Sequence, residues 1–250
     1  MGEADGRGWK AIVLGGTGAI GHWVVTELIK LDEFTKVTLI SRRHAGFIDN
    51  LPNKEKVKEV ILSSLDEMEN NADAFTDEDY DVAFCCLGTT RKDAGSAAAF
   101  RKVDLDSVLS FARLCLVDKK SAAEEEDEEE KTKRELDFHV VSSAGANPKS
   151  WFLYMRTKGE MEEGVKAMPF RRTVIYRPGL LGREDRARTN EKLFGWIVKA
   201  IPVQTVGRAM VHHALELLTR KKEEEAKKQS EVWGNADIYR FMKNVPSSSL

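Results

Sequence analysis

At 250 residues, 42% hydrophobic and 32% charged, the chain is long enough to bury a full core and lies far from the composition of a disordered segment. Its net charge of −2 argues against a general attraction to nucleic acid or to an anionic membrane, so no direct nucleic-acid partner is expected. No run of about 18 apolar residues is present to span a bilayer, and Met1 to Gly8 has neither the apolar core of a signal peptide nor the Arg-rich pattern of a transit peptide.

Three cysteines, Cys85, Cys86 and Cys115, sit at no metal-ligand spacing. They read as small buried hydrophobes in a reducing compartment, with the cytoplasm expected and no metal.

Taken in chain order, short apolar runs alternate with longer amphipathic ones. Lys10 to Leu14 reads as a strand and Ile20 to Leu31 as a helix, with Ile20, Val24, Leu28 and Leu31 at helical spacing. Strands follow at Val37 to Ile40, Val57 to Leu62 and Val82 to Cys86, then a helix over Ala97 to Val117. A fifth strand, Phe138 to Val141, leads to a helix over Phe152 to Met168 that stops at Pro169. A sixth strand, Thr173 to Tyr176, ends at Pro178-Gly179. Helical patterns then run from about Glu191 to Ala200 and from Val206 to Lys221.

Repeated β-then-α alternation predicts a doubly wound parallel sheet in a three-layer α/β/α sandwich, one domain over residues 1–250. The acidic stretch 121–135 reads as a surface insertion, and the mixed-charge stretch 220–228 as a solvated loop or exposed helix end. Residues 180–250 leave room only for a small substrate lid.

The strongest local motif is Gly15-Gly16-Thr17-Gly18-Ala19-Ile20-Gly21, between the first strand and the first helix. Gly15 suits a tight turn, Gly18 a close approach of the backbone to a pyrophosphate, and Gly21 close packing of helix on strand. With Thr17, Ala19 and Ile20 these residues make a dinucleotide-binding loop over a helix N-terminus. The second strand ends in Ser41-Arg42-Arg43, with no carboxylate for a ribose 2′-hydroxyl. A guanidinium there pairs with a 2′-phosphate, so NADP(H) is expected over NAD(H), with Arg42 as the main contact and Ser41 and Arg43 assisting.

Tyr154 and Lys158 lie four residues apart and share a helix face. An ammonium beside a phenol favours the phenolate, which suits Tyr154 to proton transfer at a carbonyl or alcohol, and Lys158 can also hold a ribose. Ser143, at the end of strand five, would steady the substrate oxygen, with Ser142 as the neighbouring alternative. Because ligands sit outside the carboxyl ends of the strands, Cys86, Leu87, Gly88 and Thr89 after strand four and Pro178 and Gly179 after strand six complete the expected cofactor site. No histidine is assigned a catalytic role.

Together these residues resemble the short-chain dehydrogenase/reductase superfamily. More closely, the chain resembles the Tat-interacting tumour-suppressor protein family, an atypical branch of it. The stretches that carry the resemblance are Lys36 to Arg43, Phe84-Cys85-Cys86-Leu87-Gly88-Thr89-Thr90-Arg91, Ser142 to Ala146, Phe152-Leu153-Tyr154 with Lys158-Gly159-Glu160, Arg177-Pro178-Gly179 and Val206 to Met210. The resemblance implies a Rossmann fold that binds NADPH, with Ser, Tyr and Lys in the places named. It also implies regulatory roles through protein partners in transcription, nuclear import or apoptosis, and in fungal relatives a peripheral place at the mitochondrial outer membrane. Two readings follow: an NADPH-dependent oxidoreductase acting on a small-molecule carbonyl or alcohol, and an NADPH-sensing regulatory protein with little turnover.

Overall fold

The computed structural model describes residues 8–117, 136–182, 200–220 and 229–246. The strands are β1 (Trp9–Leu14), β2 (Phe34–Ser41), β3 (Val57–Ile61), β4 (Val82–Cys85), β5 (Asp137–Val141), β6 (Arg172–Arg177), the two-residue pair β7 (Leu181–Gly182) and β8 (Ile201–Pro202), and β9 (Gln229–Gly234). Seven of them form one all-parallel sheet in the order β3-β2-β1-β4-β5-β6-β9. The order reverses between β1 and β4, and at such a reversal the outgoing loops part to leave a crevice at the carboxyl ends of the strands.

The helices are α1 (Ala19–Lys30), the short α2 (Asp73–Thr76) and α3 (Arg91–Ala94), α4 (Ala97–Arg101), α5 (Ser107–Cys115), α6 (Leu153–Ala167), α7 (Val203–Thr219) and α8 (Asn235–Met242). Alternation along each strand divides the core in two. Ala11 and Val13 of β1 point toward α1 and α7, where Val24, Leu28, Val206 and Met210 are buried; Ile12 and Leu14 point the other way, toward Phe111, Met161 and Val165 of α5 and α6. Strands buried on both faces need near-continuous apolar runs, which is why Ala11 to Leu14 and Val82 to Cys85 lack polar residues.

The expected doubly wound α/β architecture is the observed one, and the first six strands lie where the apolar runs put them. Two regions differ. The helix expected over Ala97 to Val117 is interrupted by a π turn, Lys102–Asp106, between α4 and α5. The 180–250 region expected to be a small lid is largely built into the body: α7 packs along α1, β9 adds a seventh strand beside β6, and α8 follows it. Gln229 to Gly234 has few apolar residues because it is an edge strand, one side of which needs no partner. The acidic stretch 121–135, most of the helical pattern near 191–200 and the mixed-charge residues 221–228 lie outside the described residues.

One polar chain crosses the α1/α7 side of the core. Tyr176 of β6 has its hydroxyl 3.0 Å from His213 Nδ1 on α7 and 3.1 Å from His139 Nδ1 on β5. His213 Nε2 faces the Glu231 carboxylate of β9 at 3.5 Å, and Trp233 Nε1 donates to the same carboxylate oxygen at 2.9 Å. The carboxylate puts the His213 proton on Nε2, so Nδ1 accepts from the Tyr176 hydroxyl, whose oxygen in turn accepts from His139 Nδ1. His139 Nε2 is then an acceptor, buried and without a hydrogen-bond partner among the described residues. Burial holds both imidazoles neutral, His139 down to about 3 and His213 down to about 2.

An unfolded histidine titrates near 6.5, so below that value the unfolded chain binds protons that the native chain refuses. Stability is therefore fully present above about pH 6.5 and is lost as pH falls toward the folded values, at about 1.4 kcal/mol per histidine per pH unit. Urea unfolding at steps from about pH 7 to about pH 4.5 should show this loss, and the slope in His213→Gln should be shallower by about one histidine's share. Equal slopes in both proteins would show that His213 is charged in the fold.

Candidate cofactor and active site

At the end of β1 the chain turns at Gly15, whose φ of +83° favours glycine. A Cβ there would lie 2.7 Å from the Cys86 carbonyl carbon, because the ends of β1 and β4 meet at this point. Gly21 admits no side chain either: a Cβ on it would lie 2.2 Å from the Gly15 carbonyl oxygen. The first turn of α1 is thereby pressed onto the end of β1. Gly18 donates its N–H to Gly15 O at 2.9 Å and precedes the helix, which has no capping side chain and no acidic residue in its first turn. Its first N–H groups and the positive end of its dipole, at Ala19, Ile20 and Gly21, face the crevice mouth beside the half-buried Thr17.

At the end of β2, Ser41 is buried and donates Oγ–H to the Arg43 carbonyl at 2.7 Å. Arg42 and Arg43 are exposed and have no ion-pair partner among the described residues. The next residue, His44, lies between Glu59 of β3 and Asp49.

The other half of the site is organised by α6, on which Tyr154, Lys158 and Glu162 form one stripe at four-residue spacing. Tyr154 is partly exposed and its ring stacks on Phe100 of α4, with centroids 5.6 Å apart. Lys158 is 3% exposed, and its Nζ lies 2.8 Å from Asp104 Oδ1, an ion pair rather than an aligned hydrogen bond. Asp104, in the π turn, is inaccessible to water; its second oxygen accepts the Thr89 N–H at 2.9 Å. Gly88 lies beside this pair, where an added Cβ would come within 3.6 Å of both Lys158 Nζ and Asp104 Oδ1.

One turn later, buried Glu162 accepts from Ser142 Oγ at 2.5 Å and from Arg177 Nε at 2.8 Å. Ser142 is thus fully engaged. The half-buried Ser143 donates its hydroxyl to the Ala144 carbonyl at 3.3 Å, its one side-chain hydrogen bond among the described residues. The strap after β6 is pinned twice: Pro178 O accepts the Ala144 N–H at 2.9 Å, and Gly179 donates to Asn235 Oδ1 of α8 at 2.9 Å.

The expected residues therefore fall into two groups at the carboxyl ends of the strands. Gly15 to Gly21 meets Cys86 and Leu87; Lys158 meets Gly88 and, through Asp104, Thr89; Ser143 neighbours Ala144, which is tied to Pro178. Ser41, Arg42 and Arg43 lie at the outer end, after β2. Burial pushes the Cys85 thiol up to about 12 and the Cys86 thiol well above its ordinary range, so neither is poised as a thiolate.

Sequence reasoning missed Asp104, Glu162, Arg177 and Asn235 as partners of the expected residues. Arg177 stood inside a quoted family stretch; Asp104 gave no periodic signal, because a π turn carries it inward out of helical phase.

Asp104→Ala should destabilise the fold by about 3–5 kcal/mol, since it leaves a buried ammonium without its counter-charge. In a double-mutant cycle with Lys158→Met, read by urea unfolding, the double variant should be more stable than the two single losses predict. Additive losses would show that the pair is not coupled.

No protein-family model matches the chain. The rat protein HTATIP2 is 36% identical over 215 residues, covering 82% of this chain and 80% of its own. The mitochondrial protein FMP52-1 of Scheffersomyces stipitis is 35% identical over 184 residues, covering 72% and 70%. Among solved structures, an oxidoreductase of the short-chain dehydrogenase/reductase family from Burkholderia thailandensis superimposes with a TM-score of 0.67 at 18% identity, over 95% of this chain and 96% of its own. MoeE5, solved with UDP-glucose and NAD, superimposes with a TM-score of 0.60 at 17% identity, over 90% and 75%. The chain belongs to the family of HTATIP2 and FMP52, and it has the fold seen in solved short-chain dehydrogenases/reductases.

Proposed function

We propose that the chain binds NADP(H) and works as an oxidoreductase on a small carbonyl or alcohol. The observation that carries the reading is the pairing of an uncapped helix N-terminus over a glycine turn with two guanidiniums at the end of β2 that have no ion-pair partner among the described residues. The residues fit such a group. Gly15 and Gly21 have no room for a Cβ, the α1 N–H groups suit a pyrophosphate, and Arg42 and Arg43 suit a phosphate on the adenosine ribose. The solved relative MoeE5 holds NAD, which supports a dinucleotide without deciding its phosphate.

When bound, the cofactor supplies or takes the hydride. The chain's own residues do the rest. Tyr154 O–H gives its proton to the carbonyl oxygen during reduction and takes it back during oxidation. Lys158, fixed by Asp104, would be the group that holds a ribose hydroxyl of the bound cofactor. Ser143 donates its hydroxyl to the substrate oxygen and steadies the developing charge. Ser142 is left out of this role because Glu162 already holds its hydroxyl.

A second reading, a regulatory protein that acts through partners and uses NADPH for shape, is favoured by Trp151 and Phe152, which lie exposed at the start of α6 just before Tyr154. The cytoplasm remains our expectation for the compartment, with the mitochondrion of the FMP52 relatives as the alternative.

Calorimetric titration should give NADPH binding tighter than NADH by about tenfold or more, with Arg42→Asp removing the difference. Absence of binding by any dinucleotide would sink the proposal. In a screen of aldehydes and ketones, Tyr154→Phe should lower turnover by about 10²–10⁴-fold. If no substrate turns over while NADPH binds, the regulatory reading takes its place.

A further inference from the structure

The turn after β2 carries a histidine for which the glycine loop and the α6 stripe have no use. Each ring nitrogen of His44 faces a carboxylate: Nδ1 lies 2.6 Å from Glu59 Oε2, and Nε2 lies 2.9 Å from Asp49 Oδ2. A neutral imidazole has one N–H and one lone pair, so it satisfies one ionised carboxylate and sets a lone pair against the other. With both contacts made, the ring is an imidazolium. Glu59 also accepts the Ala45 N–H on its other oxygen at 2.9 Å, and Leu62 donates its N–H to the Ser41 carbonyl at 2.8 Å. The turn that presents Arg42 and Arg43 is thus clamped to β3 through His44 and Glu59.

The charged groups around this ring are few. Glu59 comes from β3 and Asp49 from the short helical turn Ile48–Asn50 that precedes it. Lys54 donates from Nζ to the Asp49 carbonyl at 3.1 Å, and Arg42 and Arg43 precede the histidine in the chain. Two carboxylates thus hold the residue that directly follows Arg42 and Arg43 in the chain, and the imidazolium is what occupies them.

We propose that His44 is a specificity-determining residue for the adenosine end of the cofactor. As an imidazolium it keeps Glu59 and Asp49 engaged, so that Arg42 and Arg43 are free for a ribose phosphate. As a neutral imidazole it releases a carboxylate that competes for the arginines and repels a phosphate dianion. The inference rests on the NADP(H) reading above and adds to it a group that sets when the preference holds.

The direction follows from the contacts. Hydrogen bonds to Asp49 first and Glu59 second raise the His44 titration above the ordinary histidine value. The phosphate preference is therefore fully present below about pH 6.5 and is lost as pH rises through the raised value. A phosphate monoester is midway through its second ionisation near pH 6, so above about pH 7.5 the ligand's own titration adds little, and below that it acts against the expected fall.

The test measures dissociation constants for NADPH and NADH between about pH 6.5 and pH 9.5 in wild type, His44→Gln and His44→Lys, with thermal unfolding as the check on folding. The ratio of NADPH to NADH affinity in wild type should fall by about fivefold across this range, the size of one unit charge near a partly solvated phosphate. His44→Gln should give the low ratio at every pH, and His44→Lys should hold the high ratio throughout. The same ratio in wild type and His44→Gln at every pH overturns the role of His44 while leaving the NADP(H) reading intact. No preference for NADPH in any of the three proteins at any pH overturns that reading itself, and this inference with it.

Discussion

Two carboxylates without access to water, Asp104 and Glu162, tie the loops after β4, β5 and β6 to one helix. A buried charge is tolerable only when paired and hydrogen-bonded, so the partners of each carboxylate are fixed as firmly as the core beneath them. Asp104 engages Lys158 of α6 and the backbone of Thr89, and Glu162 engages Ser142 and Arg177. The loop bearing Gly88, the loop bearing Ser143 and the strap bearing Pro178 therefore take their positions from α6. Tyr154 projects from that helix one turn before Lys158. Its hydroxyl is placed by a rigid element rather than by a loop, as the proposed proton transfer would require.

The opposite half of the crevice is fixed by exclusion rather than by charge. Where the sheet order reverses, β1 and β4 end side by side, and Gly15 lets their outgoing backbones touch. Gly21 then lets α1 start directly on the strand end, so its dipole points into the gap. A protein of net charge −2 in this way presents a locally positive mouth: helix N–H groups at one point and two guanidiniums at the end of the neighbouring strand. Overall charge says little about such a site, because screening confines each charge to within about 10 Å.

What was legible in the sequence follows the same division. Strands buried on both faces must be apolar runs, so β1, β4, β5 and β6 were visible, and the order of runs and helical stripes implied a parallel sheet. The glycine loop was legible because its spacing is a local backbone requirement. The edge strand β9 was not, since Gln229-Ser230-Glu231 meets a partner on one side only and needs no apolar run. Nor was the contribution of α7, β9 and α8 to the body of the fold, which the count of residues after strand six suggested was a lid. Asp104 and Glu162 escaped because their meaning lies in contacts made across the fold: Glu162 meets Ser142 from 20 residues away and Arg177 from 15. A carboxylate on an apparently ordinary helix carries no mark in the sequence of whether it faces water or an ammonium.

The two halves share no side chain, and this separates what each can tolerate. His44 and Asp49 are exposed to solvent, so the energies this cluster sets are small and sensitive to salt and pH. The Lys158–Asp104 pair and the Glu162 carboxylate are buried, so changing them disturbs stability before it disturbs chemistry. On the proposed reading, selection among cofactors can vary at the end of β2 while the end that bears Tyr154 stays fixed. The same logic accounts for Ser142 and Ser143, neighbours with opposite duties: the inward hydroxyl holds the frame together, and the outward one remains free to meet a substrate.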